Sequence, residues 1–257
     1  MKKFLIDLTV SAVEQLNSRY VLLRLSDDKP LPNMEPGQFV EVGIADSPAT
    51  LLRRPISIHF VDTAHNELHL LVAMVGEGTR RLGRLVPGDR LSCLLPLGHG
   101  FSGANADDSV LLVGGGVGVA PLLFQGERLQ AAGCAVTFLL GGRTAADLLL
   151  TDRFARFGRV LTTTEDGSAG ERGFVTNHSV LTTEHFTLIQ TCGPTPMMKA
   201  VAAYAQRVGT ACEVSLENLM ACGLGACLCC VEKTKEGNLC VCKEGPVFNV
   251  NRLLWQF

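Results

Sequence analysis

The sequence predicts an α+β multidomain fold in three parts. An antiparallel β-barrel is expected over residues 1–105, a doubly wound parallel α/β domain over 106–209, and a small cysteine-rich module over 210–257. Three observations predict it. The first part holds six short strand-like runs and no long helical pattern. Near residue 108 the pattern changes to wholly apolar runs alternating with helix-like segments. Finally, six of the ten cysteines crowd between Cys222 and Cys242.

In the first part the strand candidates are 4–13, 20–25, 38–44, 56–61, 68–74 and 90–95. They are separated by turn signals such as Lys29-Pro30, Glu35-Pro36-Gly37 and Val86-Pro87-Gly88-Asp89. Six short strands with such breaks suit an antiparallel barrel, and a short helix is expected over 79–85. In the second part, Val110-Leu-Leu-Val113 is a buried-strand run that ends in Gly114-Gly115-Gly116. A helix is expected over 120–132, a strand over 135–140, a helix over 145–157, and strands over 160–164 and 187–191. An amphipathic helix follows over 195–208. Strand–helix alternation with wholly apolar strands argues for a parallel sheet covered on both faces.

Composition narrows the function. With 257 residues, a net charge of −2 and 47% apolar residues, the chain can bury more than one core and has no basic footprint for nucleic acid. No apolar run approaches the roughly 20 residues of a membrane span. Asp7 interrupts the N-terminal apolar run too early for a secretory signal. Cys93, Cys134, Cys192 and Cys212 stand singly in apolar surroundings while the others cluster. That usage fits a reducing, cytoplasmic setting with metal-binding thiols rather than a disulfide framework.

The cluster reads Cys222-Gly-Leu-Gly-Ala-Cys227-Leu-Cys229-Cys230, then Cys242. C-x4-C-x2-C with a distant fourth Cys is the plant-type [2Fe–2S] spacing. Gly223 and Gly225 let the loop wrap closely and aim backbone N–H groups at sulfur. The spacing selects Cys222, Cys227 and Cys230. Cys242, ahead of the polar turn Lys243-Glu244-Gly245-Pro246, is the better fourth ligand; Cys229 and Cys240 are expected to be small core residues, with a ligand swap to either left open. Zinc is the rival metal, although its structural sites usually pair two short C-x2–4-C hairpins.

The glycine run misses G-x-G-x-x-G, because Val119 stands where the third Gly would fall. In the other register Gly116-Val-Gly118-Val-Ala-Pro121 gives G-x-G-x-x-P. A strand that feeds a glycine turn at a helix N-terminus suits a pyrophosphate, and Pro121 suits the first helical turn. The bland alternative is simply a tight strand-to-helix turn. Cys192-Gly193-Pro194 ends another strand that would face the same crevice.

In the barrel, Arg53-Arg54-Pro55-Ile56-Ser57 precedes Gly76-Glu77-Gly78-Thr79 by some twenty residues. A cation, a hydroxyl and a glycine turn can hold a diphosphate, though an exposed Arg and an edge Pro explain R-P-x-S as well. Chemistry favours the first reading. A nicotinamide gives two electrons as hydride and a [2Fe–2S] cluster takes one, so a flavin is needed to split the pair.

With R-P-x-S, G-x-G-x-x-P, C-G-P, C-x4-C-x2-C and the closing Cys-Lys-Glu-Gly-Pro-Val-Phe248 in this order, the chain resembles the ferredoxin–NADP reductase superfamily. Within it, the chain is similar to the electron-transfer subunits of class B dihydroorotate dehydrogenases. The resemblance covers essentially the whole chain. It implies FAD lined by Arg54, Pro55, Ile56 and Ser57, by the backbone of Leu71, Val72 and Ala73, and by Gly78 and Thr79 at the pyrophosphate. It implies NAD cradled by Gly114, Gly115, Gly116, Gly118 and Pro121, with Cys192 and Gly193 near the nicotinamide, and iron on Cys222, Cys227, Cys230 and Cys242.

The resemblance also implies a partner, an FMN-containing catalytic subunit that converts dihydroorotate to orotate in pyrimidine synthesis, in a heterotetramer of two copies each. No acid–base residue of this chain is then expected to be catalytic. Electron-transfer subunits of a hydrogenase, a sulfur reductase or a transhydrogenase share the motifs, and a non-enzymatic zinc-binding interaction protein is the reading from another class. NAD against NADP stays open on residues alone, since Arg143 could meet a 2′-phosphate while Glu165 and Asp166 flank the same edge.

Overall fold

The computed structural model describes residues 2–45, 47 and 50–256. These form two compact units. The first comprises residues up to 100 together with 218–232 and 238–246, and the second comprises 101–217, 233–237 and the C-terminal residues from 247.

In the first unit β1 (Phe4–Gln15), β2 (Tyr20–Ser26), β3 (Phe39–Val42), β4 (Arg54–Asp62), β5 (Glu67–Ala73) and β6 (Arg90–Leu97) close into a barrel. Their order around it is β1-β2-β5-β4-β3-β6, and every pair is antiparallel. Closure leaves no free sheet edge. The apolar face of each strand fills the interior with residues such as Leu8, Val10, Leu22, Val40, Ile58, Leu70 and Leu95. A single turn of helix, α1 (Glu77–Leu82), follows β5. Gly76 caps it, with its N–H donating to Thr79 Oγ1 at 3.0 Å. All six strand candidates are present, each within a few residues of its expected bounds.

The second unit is built on a seven-stranded sheet. Its strands are β7 (Ser109–Gly115), β8 (Ala135–Gly142), β9 (Arg159–Thr164), β10 (Glu171–Arg172), β11 (Leu188–Cys192), β12 (Ala211–Ser215) and, last in the chain, Val247–Asn249. The order is β10-β9-β8-β7-β11-β12, all parallel, with Val247–Asn249 antiparallel at the edge beyond β12. The helices α2 (Leu122–Ala131), α3 (Thr151–Phe154), α4 (Val180–Thr183) and α5 (Thr195–Val208) connect the strands. The chain winds outward from β7 to β10, then returns to place β11 on the other side of β7. The strand order therefore reverses between β7 and β11, and such a switch point opens a ligand crevice at the carboxyl ends of the strands.

One expected helix is absent. Residues 145–157 form a 3-10 turn at Ala145–Asp147 and then the single turn α3, with Leu150 in a left-handed conformation (φ +56°) between them. Helical continuity there loses to burial: the broken path places Leu149 and Phe154 in the core, and Phe154 packs edge-on against Phe138 at 5.0 Å. The C-terminal region adds a two-stranded hairpin, β13 (Val231–Thr234) with β14 (Gly237–Cys240), and one helical turn, α6 (Val241–Glu244).

Candidate metal and cofactor sites

The cysteine loop follows from its glycines. Gly223 (φ +66°) and Gly225 (φ +79°) occupy left-handed backbone that side chains disfavour. A Cβ on Gly223 would stand 2.8 Å from Glu41 Cγ and 2.9 Å from Leu97 Cδ1, so the loop can lie on the barrel only with glycine there. The turn aims main-chain donors at sulfur. Leu224 N–H donates to Cys222 Sγ (3.3 Å), Gly225 N–H to Cys242 Sγ (3.2 Å) and Cys242 N–H to Cys230 Sγ (3.4 Å).

Electrostatics divide the thiols. Burial raises the Cys222 thiol, but backbone N–H groups of Leu224, Cys227 and Ala226 and the Cys227 thiol outweigh it and bring the pKa down to about 6. Cys242 is pushed up to about 12 by burial, with the Cys230 thiol adding to the rise. The hydrogen bonds bring Cys222 to Cys227 and Cys230 to Cys242, so the four named cysteines meet as two pairs. Cys230 and Cys242 are buried, Cys222 is half-buried and Cys227 is exposed. Among the described residues, no three His, Cys, Asp or Glu side chains gather as a single ion would require. Four thiols, three of them with N–H donors at sulfur, nevertheless match the donor set of a thiolate cluster. Such a cluster would be held by these cysteines as thiolates.

The extra cysteines separate on the same grounds. Cys229 is exposed, beside Leu228 at φ +60°, which departs from its expected place in the core. A residue in a tight left-handed turn is carried outward with the turn. Cys240 is half-buried, its thiol donating to the Gly225 carbonyl at 3.8 Å.

On the barrel, Arg54, Pro55, Ile56 and Ser57 open β4 and lie opposite Val42, Glu41, Val40 and Phe39 of β3 in register. Leu71, Val72 and Ala73 close β5 opposite Leu22, Val21 and Tyr20. Gly78 and Thr79 begin α1, and the structure brings this turn to the Arg54 guanidinium. A Cβ on Gly78 would lie 3.3 Å from Arg54 Nε and 3.1 Å from Thr50 Cγ2. The Thr79 hydroxyl is engaged in capping α1.

In the second unit the glycine turn and the Cys192-Gly193 turn meet at the switch point. Cys192 pairs with Gly114 in register, and a Cβ on Gly118 would stand 2.4 Å from Gly193 Cα and 2.5 Å from the Cys192 carbonyl oxygen. Gly116 to Val119 form a 3-10 turn, so Pro121 caps α2 rather than entering its first turn. Arg143 follows β8, with Nε 3.8 Å from Asp147, and its carbonyl accepts from Asp166 N–H (3.2 Å).

Comparison with known proteins bears on this arrangement. The profile described as "Iron-sulfur cluster binding domain of dihydroorotate dehydrogenase B" matches residues 217–254, and "Oxidoreductase NAD-binding domain" matches 112–203. The electron transfer subunit of dihydroorotate dehydrogenase B (NAD(+)) of Shouchella clausii is 40% identical over 227 residues, 86% of each chain. That of Bacillus cereus strain Q1 is 39% identical over 228 residues, covering 86% of this chain and 87% of its own. The chain belongs to the dihydroorotate dehydrogenase B electron transfer subunit family.

Among solved structures, an NADH-dependent reduced ferredoxin–NADP oxidoreductase chain studied for flavin-based electron bifurcation superposes with a TM-score of 0.87. It is 28% identical and is matched over 96% of this chain and 90% of its own. The cytochrome b5 reductase domain of Ulva prolifera nitrate reductase, 15% identical with a TM-score of 0.67, is matched over 80% of this chain and 93% of its own and shares the fold. Among the described residues, no helix of this family member is long and apolar enough to cross a membrane.

Two acidic residues went unread in the sequence. Glu217, 3.9 Å from Cys192 Sγ, has its carboxyl raised by burial, as is the Cys192 thiol. Glu41 is fully buried, and both its carboxyl oxygens are without a hydrogen-bond partner. A charged residue within the otherwise apolar strand Phe39–Val42 was the available signal for Glu41.

Proposed function

We propose that this chain passes electrons between NAD(H), FAD and a [2Fe–2S] cluster, to or from the FMN of a dihydroorotate dehydrogenase catalytic subunit. The assembly is a heterotetramer with two copies of each subunit. The observation that carries the reading is that the cysteine loop lies on the same compact unit as the R-P-x-S strand. Gly223 packs on Glu41, and Glu41 lies opposite Pro55 in register.

Arg54, Pro55, Ile56 and Ser57 line FAD, with Leu71, Val72 and Ala73 offering backbone to its ring and Gly78 and Thr79 holding its pyrophosphate. The glycines of 114–118 and Pro121 take the dinucleotide, and Cys192 and Gly193 border its nicotinamide. Cys222, Cys227, Cys230 and Cys242 hold iron. When bound, the flavin takes electrons as a pair and releases them singly, and the cluster carries one at a time. The residues themselves act by binding and by aim. The Arg54 cation beside Gly78 would meet a diphosphate, the close Gly118–Gly193 approach brings the two backbone turns together where a phosphate would lie, and N–H groups at sulfur would tune the cluster.

Anaerobically reconstituted protein should show flavin and iron–sulfur absorption together. With a dihydroorotate-oxidising catalytic subunit it should couple dihydroorotate oxidation to NAD⁺ reduction. A colourless protein that binds zinc overturns the reading, and dihydroorotate turnover by the chain alone overturns the division of labour. The 28% identity to the ferredoxin–NADP oxidoreductase chain favours one second reading, a transhydrogenase subunit. That reading expects reduction of NADP⁺ with reduced ferredoxin and no response to a dihydroorotate-oxidising subunit.

A further inference from the structure

Glu41 lacks an evident structural reason to be an acid. It stands on β3 between Val40 and Val42, and all three side chains are fully buried. The nearest cations do not neutralise it by contact. Arg53 spends its guanidinium on the carbonyl oxygens of Glu41 (3.3 Å) and Ser92 (2.9 Å) and on Ser92 Oγ (3.0 Å). Arg54 donates to the carbonyls of Leu52 and Arg53. Both carboxyl oxygens of Glu41 are left without a partner. An unpaired buried carboxyl costs several kcal/mol relative to an apolar residue of the same shape, so the site implies a partner outside the polypeptide.

The placement says which one. The carboxyl-bearing side chain packs on Gly223, next in sequence to Cys222, with the Gly223 Cβ position 3.4 Å from Glu41 Oε1. On its strand it faces Pro55 of the R-P-x-S segment. Glu41 thus sits between the loop assigned to iron and the strand assigned to flavin, all within one compact unit.

We propose that Glu41 is a positioning residue that donates its carboxyl O–H to a sulfur on the Cys222 side of the bound cluster, raising the cluster's reduction potential. The inference rests on the ligand assignment above. Hydrogen bonds to sulfur stabilise the reduced, more negative state and are among the protein's main controls on potential. The carboxyl must be neutral to donate. Complete burial without a protein partner favours that neutral form. Gly223 is then explained twice over: it provides the left-handed turn, and it leaves no side chain between the carboxyl and the loop.

The test is an EPR-monitored redox titration of the reconstituted holoprotein with three variants. Glu41→Gln keeps an N–H donor of nearly the same shape and should keep the wild-type cluster midpoint. Glu41→Leu removes the donor and should lower the reduction equilibrium about tenfold, which for one electron is about 59 mV. Glu41→Met, whose flexible chain refills the volume, should repeat the Leu result and guards against a simple packing defect. Flavin and iron content, equal to wild type, confirm that each variant is folded and loaded. Wild-type midpoints in both Leu and Met variants overturn the proposal, as does an equal shift in all three. Loss of iron in Cys222→Ala supports the ligand assignment separately. A wild-type preparation with no iron–sulfur signal overturns that assignment and this proposal with it.

Discussion

Gly118→Ala is the sharpest perturbation of the nucleotide crevice. The added methyl carbon would stand 2.4 Å from Gly193 Cα and 2.5 Å from the Cys192 carbonyl oxygen. Unstrained carbon contacts lie at about 3.5–4.0 Å, so one turn must retreat by about 1 Å. Both obstacles are main-chain atoms at the end of β11, which pairs with β7, and cannot rotate away as a side chain can. Overpacking of this kind costs about 1–3 kcal/mol. For a domain of this size that lowers Tm by about 2–4 °C per kcal/mol. The displaced backbone is also the proposed dinucleotide cradle, so the affinity for NADH should fall by tenfold or more, about 1.4 kcal/mol. Calorimetry and NADH titration of the flavin-loaded protein measure both effects. Gly76→Ala is the control, because nothing lies within 4 Å of its Cβ position. An alanine variant at position 118 with wild-type Tm and wild-type NADH affinity refutes the reasoning.

Three further outcomes are expected. Cys230→Ser should lose the iron–sulfur absorption and Cys229→Ser should keep it, because Cys230 is buried against Cys242 while Cys229 is exposed; the opposite result moves the ligand register by one. Gly78→Val should lose FAD without unfolding the barrel, since its side chain would enter the 3.1–3.3 Å gap to Thr50 and Arg54, and flavin release on gel filtration reads this directly. His178 is buried, with Val180 N–H donating to Nδ1 at 3.0 Å, and burial lowers its pKa from 6.5. Its stabilising contribution is therefore complete above about pH 6.5 and is lost as pH falls below that value, where the unfolded chain binds the extra proton first. The Tm advantage of wild type over His178→Gln should shrink between pH 7.5 and 5.5, and a pH-independent difference contradicts the assignment.

The fold was legible wherever a pattern was local. Alternation and Gly/Pro breaks located all six barrel strands, and the apolar runs located the parallel strands β7, β8, β9 and β11. The amphipathic helix Thr195–Val208 ends at Gly209 as its pattern indicated. Failures came where a tertiary contact overrode local propensity. The stretch 145–157 has helical composition, yet Leu150 turns left-handed so that Leu149 and Phe154 reach the core. β10 has two residues and Val247–Asn249 has three; strands that short carry no period and exist only because a neighbour pairs with them.

The candidate sites follow the same rule, and it explains why Glu41 escaped notice. Motifs are contiguous, so C-x4-C-x2-C, R-P-x-S and the glycine run could be read directly. What gives each motif its geometry comes from elsewhere in the chain: Gly193 beneath Gly118, Arg54 beside Gly78, Glu41 beneath Gly223. In all three the glycine is the half visible in sequence, and its partner is what the glycine makes room for. For two of them that partner is itself part of a recognisable motif. For Gly223 it is a lone acid in an apolar strand, a pattern that by itself reads as an error in a core. A buried carboxyl without a protein partner is too costly to persist as an error. The missing side chain at Gly223 and the missing hydrogen bonds at Glu41 therefore describe one contact from two sides, the place where the cysteine loop lies on β3.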